Sequence, residues 1–373
     1  MQQFETPSIS IFSKDMVLQT VIKNINSLTL TRNFYYSGSF GFDIPYSSSV
    51  LAFLENDDNF LVFDDGNIGI VSDVNASETQ QNGIKESFRI QGETGLSLLR
   101  NRIAIPPAES EYDSITDNVE TVLKHYVNNN LISATDSNRN IANLELETDT
   151  GLGGEKYYQM RYDDLYGELC TLAEAYNLGH NIYFDKTEKK LKYGVFEGKD
   201  RSQGQSINER VYFSKELGNI SEQGYAVSKK GTKNHGIIGG SGTGISRVID
   251  EVGTETGWNR KEIFIDASGY ASDKLEDYGT EQLTKYKKSI SLPVSIISRA
   301  GTSTEYKTKW DLGDIVTVIS KKYNKTLDLR ITELTENYNA DGFELTATLG
   351  DTETTISDAL KRKFDEFEQL KTV

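Results

Sequence analysis

The chain has almost none of the residues that build covalent or metal-held scaffolds. Its 373 residues include one cysteine, Cys170, so no disulfide can close within it. Its three histidines, His125, His180 and His235, stand far apart in sequence and leave no local cluster for a transition metal. No run approaches the ~20 consecutive apolar residues of a membrane-spanning helix. The opening segment MQQFETPSIS has neither the basic nor the apolar stretch of a secretory leader, which predicts a chain made without one. These absences argue against a disulfide-stapled secreted domain, a zinc protein and a membrane-spanning protein. No cofactor is expected.

Positive charge is also in deficit. Lys and Arg number 40 against 56 Asp and Glu, a formal net charge of −16. A specific nucleic-acid binder needs a basic face to neutralise phosphates. The basic runs here are short, Lys189-Lys190 and Lys229-Lys230, and they sit among acids. The plain reading is a soluble, acidic surface.

What is present suits strands. Hydrophobic residues make up 36% and aromatics 10%, too rich for a disordered chain. The 20 Tyr, 16 Phe and 31 Gly, with only 5 Pro, favour short strands and turns over helical bundles. Leu28–Pro45 reads as strands interrupted at Gly38 and Gly41, and Phe60–Val74 as a hairpin turning at Asp64-Asp65-Gly66-Asn67. Ser87–Gly92 supplies another strand, and Pro106-Pro107 marks a boundary. Beyond it, Ile115, Val119, Val122, Tyr126 and Val127 form an apolar stripe that predicts a helix over Asp113–Leu131, begun by Ser114 and Asp117. Leu165, Leu169, Leu172, Ala173 and Tyr176 predict a second helix, stopping before Gly179. Asn181–Phe196 reads as a hairpin around Asp185–Lys190, and the chain is strand-like again after Gly198, broken by glycines at Gly236–Gly244.

Two distant segments follow one plan. Phe60–Thr94 and Ile315–Thr352 each read strand, polar turn, strand with an acid (Asp73 or Glu333), a turn before glycine (Gly83 or Gly342), then a strand ending in Gly-acid-Thr. β-Meanders often look alike, so the echo fits either an internal duplication or a recurrent supersecondary pattern.

The candidate chemical motifs do not hold up. GGSGTGIS (Gly239–Ser246) lacks the Lys-Ser/Thr of a phosphate loop, the G-x-G-x-x-G spacing and the final glycine of G-x-S-x-G, and reads as a loop between strands. Cys170 falls close to the apolar stripe of the second helix, as a buried structural thiol would. The acidic pairs Asp57-Asp58, Asp64-Asp65 and Asp163-Asp164 lack the spacing of a calcium loop and suit turns or helix starts.

Several segments in order do resemble a known family. NFYYSGSFGFDIP, GIVSDV and FRIQGETGLSLLRNRIAIPP, with Leu98, Leu99 and Arg102, come first. VFEGKDRSQGQS, VYFSKELGNI, NHGIIGGSG and GWNRKEIFIDAS follow, and WDLGDIVTV, RITEL and GFELTATLG close the series. Together they resemble the tail-associated (Tal) baseplate hub proteins of siphophages, related to the trimeric hub of contractile phages. The resemblance implies a virion structural protein rather than an enzyme. It would form a homotrimer at the distal tip of the tail, below the distal tail protein ring, closing the channel until DNA leaves. Receptor-binding and tape-measure proteins would be further neighbours. Val373 follows soon after the last predicted helix, so a carried lytic domain is not expected.

The expected fold is therefore mainly β with a mixed α/β insert, an α+β chain. Residues 1–107 and 201–351 are expected to be two small β-barrel-like hub domains, 108–200 an α/β insert, and 352–373 a terminal amphipathic helix. In that helix Ile356, Leu360, Phe364, Phe367 and Leu370 form one apolar stripe, the expected trimer contact. The competing functions are a carbohydrate-binding module, suggested by the many tyrosines, and a cell-wall hydrolase drawing on the abundant carboxylates.

Overall fold

The computed structural model describes residues 7–79, 85–298, 302 and 304–350. The chain forms two compact units, one running to Gln223 and resuming over Pro293–Leu349, the other comprising Gly224–Leu292.

The first unit begins with strands β1 (Ile9–Ser13), β2 (Leu18–Ile22), β3 (Ser27–Asn33) and β4 (Ser39–Pro45). In β3 the buried Leu28 and Leu30 alternate with Ser27, Thr29 and Thr31, the period that turns one face to a core. A short helix, α1 (Ser48–Leu54), leads to β5 (Asn59–Phe63), β6 (Ile68–Thr79) and β7 (Lys85–Thr94). The predicted turn at Asp64–Asn67 closes there, with Gly66 at φ 88° in the left-handed region that glycine tolerates.

The mixed part comprises β8 (Asp113–Asn118), α2 (Val119–Val127), β9 (Leu144–Leu146), β10 (Glu155–Met160), α3 (Leu165–Ala175), β11 (Gly179–Asp185) and β12 (Lys190–Phe196). Its core packs Val122, Leu123 and Tyr126 of α2 with Leu165, Leu169 and Leu172 of α3. The helix predicted over Asp113–Leu131 is divided. Residues 113–118 pair with β10 as a strand, and α2 starts at Val119 with Asn118, not Ser114, capping Thr121 N. Strand pairing claims Ile115 because the partner β10 offers a full ladder, which local periodicity does not reveal. α3 is as expected, capped by Asp164, although Asn177 at φ 57° rather than Gly179 ends it.

Strands β13 (Tyr212–Ser214) and β14 (Ile220–Gln223) follow. The second unit holds β15 (Ala226–Ser228), β16 (His235–Gly239), β17 (Ile249–Val252), β18 (Glu262–Asp266), helix α4 (Leu275–Thr284) and the start of β19 (Ser289–Ile296). The glycines at Gly236 and Gly239, read as an interruption, lie inside β16, where neighbouring side chains occupy the space a Cβ would need. Its core is Ile238, Val252, Ile263, Ile265, Leu275 and Tyr286. The chain then completes the first unit with β20 (Ile315–Ser320), β21 (Lys325–Asn339) and β22 (Gly342–Gly350).

The echo in the sequence extends to topology. One run of neighbouring strands is β3-β4-β7-β6-β5-β1, and a second is β14-β19-β22-β21-β20-β13. Ranked by chain order among themselves, the first five strands of each run follow one sequence: first, second, fifth, fourth, third. The long strand of each run also shifts register just before its acid, between Val71 and Asp73 in β6 and between Ile331 and Glu333 in β21. The outermost pairs differ, since β1 meets β5 antiparallel and β13 meets β20 parallel. The fold is mainly β with a mixed α/β insert, as the sequence indicates.

Candidate functional site at the seam of the two runs

The two runs are joined where β3 lies antiparallel to β21, with Leu30 opposite Glu336 and Arg32 opposite Leu334. Alternation gives this seam two chemically different faces. On one, polar side chains pair across the strands: Thr29 Oγ1 donates to Asn337 Oδ1 at 2.8 Å, Thr31 and Thr335 hydroxyls meet at 3.0 Å, and Asn33 Nδ2 donates to Glu333 Oε2 at 3.4 Å.

The other face is buried and holds charge. Arg32 contacts Asp311 at 2.9 Å and Glu336 at 3.7 Å, and Lys307 reaches Glu336 at 3.1 Å. The hydroxyls of Tyr306 and Tyr338 donate to the two Glu336 oxygens at 2.5 and 2.6 Å, and Arg32 also bonds the Tyr306 hydroxyl. Burial pushes the Glu336 carboxyl up, but the Lys307 and Arg32 cations and the two hydroxyls outweigh it and hold it below its usual range. Burial likewise opposes the charge on Arg32, and Tyr306, Asp311 and Glu336 outweigh it. This centre fastens the segment around Tyr306 and Trp310 to the seam. The buried Trp310 donates its indole N–H to Thr304 O at 3.0 Å and lies edge-on to Phe213.

Beside the centre lies a cavity of about 230 Å³ lined by Arg32, Asn33, Tyr36, His180, Asn181 and Asp311 among others. Arg32 Nε is buried without a hydrogen-bond partner. His180 is committed to structure: Nε2 sits 2.9 Å from Tyr35 O and so carries the proton, which leaves Nδ1 to accept from the Tyr193 hydroxyl at 2.9 Å. Burial lowers its pKa to about 4, so the ring is neutral at pH 7. The arrangement holds charge in place and fixes register; it is a structural centre.

The proposed contact residues Ile356, Leu360, Phe364, Phe367 and Leu370 lie outside the described residues. Cys170 is buried in α3, its thiol pushed up by burial. The acidic pairs serve turns and ends: Asp58 pairs with Lys14 at 2.7 Å, Asp65 accepts from Asn67 N, and Asp164 caps α3. Among the described residues no group of three or more His, Cys, Asp or Glu could hold a metal ion. Sequence reasoning missed Arg32 and Glu336, which stand 304 positions apart. One signal was available, because Glu336 falls in phase with Leu334 and Tyr338 on the apolar side of β21.

Comparisons with known proteins agree with this fold. The family model described as Siphovirus ReqiPepy6 Gp37-like protein matches residues 8–351. The structure is similar to a 43 kDa tail protein of prophage MuSo2 from Shewanella oneidensis, at 12% identity and TM-score 0.58, over 92% of this chain and 98% of that one. It is similar to a tail protein from Neisseria meningitidis MC58, at 12% identity and TM-score 0.56, over 92% and 96% of the two chains. Prophage tail protein gp18 from Listeria monocytogenes EGD-e gives 13% identity and TM-score 0.54, over 97% and 100%. No curated protein gives a significant match to the sequence. The tail-protein resemblance read from the sequence motifs is borne out.

Proposed function

The chain belongs to the Siphovirus ReqiPepy6 Gp37-like family, and we propose that it is a non-enzymatic hub of the phage tail tip. Three copies form a ring that closes the distal end of the tail tube and opens for DNA ejection after adsorption. The observation that carries this reading is the repeated strand order of the two runs. A trimer of such chains offers six similar sheets around one axis, a shape suited to capping a six-fold tube. In this reading residues 1–107 and 201–351 are the hub domains and 108–200 an insert. The stripe from Ile356 to Leu370 is a subunit contact, and the distal tail protein ring is the neighbour above, with receptor-binding and tape-measure proteins adjoining.

Net charge of −16 suits passage of DNA without adhesion wherever acids face the strand, since repulsion acts over a Debye length of about 8 Å at physiological salt. Native mass spectrometry of the purified chain, alone and mixed with the distal tail protein, tests the assembly. A trimer, or a complex of three copies with six of that partner, supports the hub. A chain that remains monomeric in both samples refutes it.

A further inference from the structure

Residues 224–292 carry ten Lys and Arg against nine Asp and Glu, whereas the rest of the chain carries 30 against 47. That near-balance hides a separation along the unit. β16, β17 and β18 lie side by side, with His235 opposite Glu262 at one end and Gly239 opposite Asp266 at the other. α4 runs along this sheet, its first residue Leu275 packing over Gly240 and Leu283 over Gly236.

The first end gathers the 229–234 turn, the 253–261 turn and the segment after α4. Lys233 N donates to Tyr286 O at 2.9 Å, and Asn234 N to Lys261 O at 3.0 Å. This end holds eight basic residues against Glu251, Glu255, Glu262 and the buried Glu281, and Lys229, Lys230, Lys261, Lys287 and Lys288 are exposed. The opposite end, with the 240–248 loop and the entry to α4, holds two basic residues against five acidic ones, of which Asp273, Glu276 and Asp277 are exposed.

Each end also holds out a fully exposed apolar side chain, Trp258 on the basic end and Ile245 on the acidic end, the latter beside exposed Val248 and Ile249. The turn bearing Trp258 is firmly tied. Asn234 Nδ2 donates to Asn259 O and Lys261 N to Asn234 Oδ1, both at 2.8 Å, while Arg260 pairs with Glu251 and Glu262. The dipole of α4 explains Glu276 and Asp277 at its start and Lys285 at its end. It explains neither the lysines off the helix nor an indole and an isoleucine exposed to water at opposite ends.

We propose that these ends are the two halves of one heterologous interface. The basic, Trp258-bearing end of one copy docks on the acidic, Ile245-bearing end of the next. A face that meets a different face repeats head to tail and closes into a ring when the rotation closes. Opposed charge steers the encounter and sets its polarity, and Trp258 against the Ile245, Val248 and Ile249 tip is the apolar anchor. This inference rests on the homotrimer reading and names the surface that makes the ring.

The test is a charge swap on the full chain, read by native mass spectrometry alone and with the distal tail protein. Lys229→Glu with Lys288→Glu, and separately Asp273→Lys with Glu276→Lys, are each expected to weaken the trimer at least roughly tenfold. All four changes together restore it, and Trp258→Ala weakens it by roughly a hundredfold. Unchanged melting temperatures show that the variants fold. In a second arm, Thr256→Cys with Ser246→Cys in one chain gives covalent dimers and trimers on oxidation, and neither change alone does; Cys170 is buried and silent. If the wild type is trimeric but the swaps leave its mass distribution unchanged, this interface is wrong and the hub reading stands. If the lysine variant instead loses retention on immobilised DNA with its trimer intact, the basic end serves a polyanion and the proposal is overturned. A wild type monomeric in both samples overturns the hub reading, and this inference with it.

Discussion

The seam between β3 and β21 and the unit formed by residues 224–292 use charge in opposite ways. At the seam, Arg32 and Glu336 are withdrawn from water and partnered by Asp311, by two tyrosine hydroxyls and by Lys307, which reaches in from an exposed position. In residues 224–292 the charges are mostly exposed and sorted by sign to opposite ends. A buried, ion-paired cluster fixes how the chain pairs with itself, because any other register strands an ion in a low dielectric. Exposed, segregated charge does little for folding and much for the choice of partner. The contrast separates what holds the protomer together from what is available to join it to others.

The contrast is broken most directly at Glu336. Glu336→Ala leaves Arg32 and Lys307 facing each other without their carboxylate and is expected to cost about 3–5 kcal/mol in denaturant unfolding. If that loss is no larger than the loss from Lys288→Glu, the seam is not a structural centre. Next comes acid sensitivity. His180 has a folded pKa of about 4, below its ordinary 6.5, so the unfolded chain takes the proton first. Its contribution is complete above pH 6.5 and is lost as pH falls towards 4, about 3 kcal/mol in all. His180→Gln flattens the stability profile across that window. Glu336 acts lower, its contribution fading as pH falls below the ordinary carboxylate range of about 4.3.

Smaller effects sharpen the same comparison. Asp164→Ala removes the cap of α3 and is expected to cost about 1 kcal/mol. Lys229→Glu with Lys288→Glu should change protomer stability by less than about 0.5 kcal/mol per site, as measured by thermal melting, while dissociating the trimer.

The parts legible in the sequence are those written locally. The Asp64–Asn67 turn, the hairpin over Asn181–Phe196 and helix α3 each carry their own start, stop and period within a few residues. The helix predicted from Asp113 failed at its first turn because a distant strand, β10, claimed residues 113–118. The pairing at the seam was hidden for the same reason on a larger scale: the phase of Glu336 with Leu334 and Tyr338 marks a buried charge, but nothing near it announces Arg32. Lys229-Lys230 read as a minor run among acids because Lys261, Lys287 and Lys288 join it only through the fold. The echo between Phe60–Thr94 and Ile315–Thr352 was visible as pattern, but its extension to β3-β4 and β14-β19 needed the strand order.

The most direct single test of the hub is the native mass of the wild-type chain at physiological salt, alone and with the distal tail protein. A trimer, or three copies bound to six of the partner, is the predicted result. A monomer in both samples would contradict it.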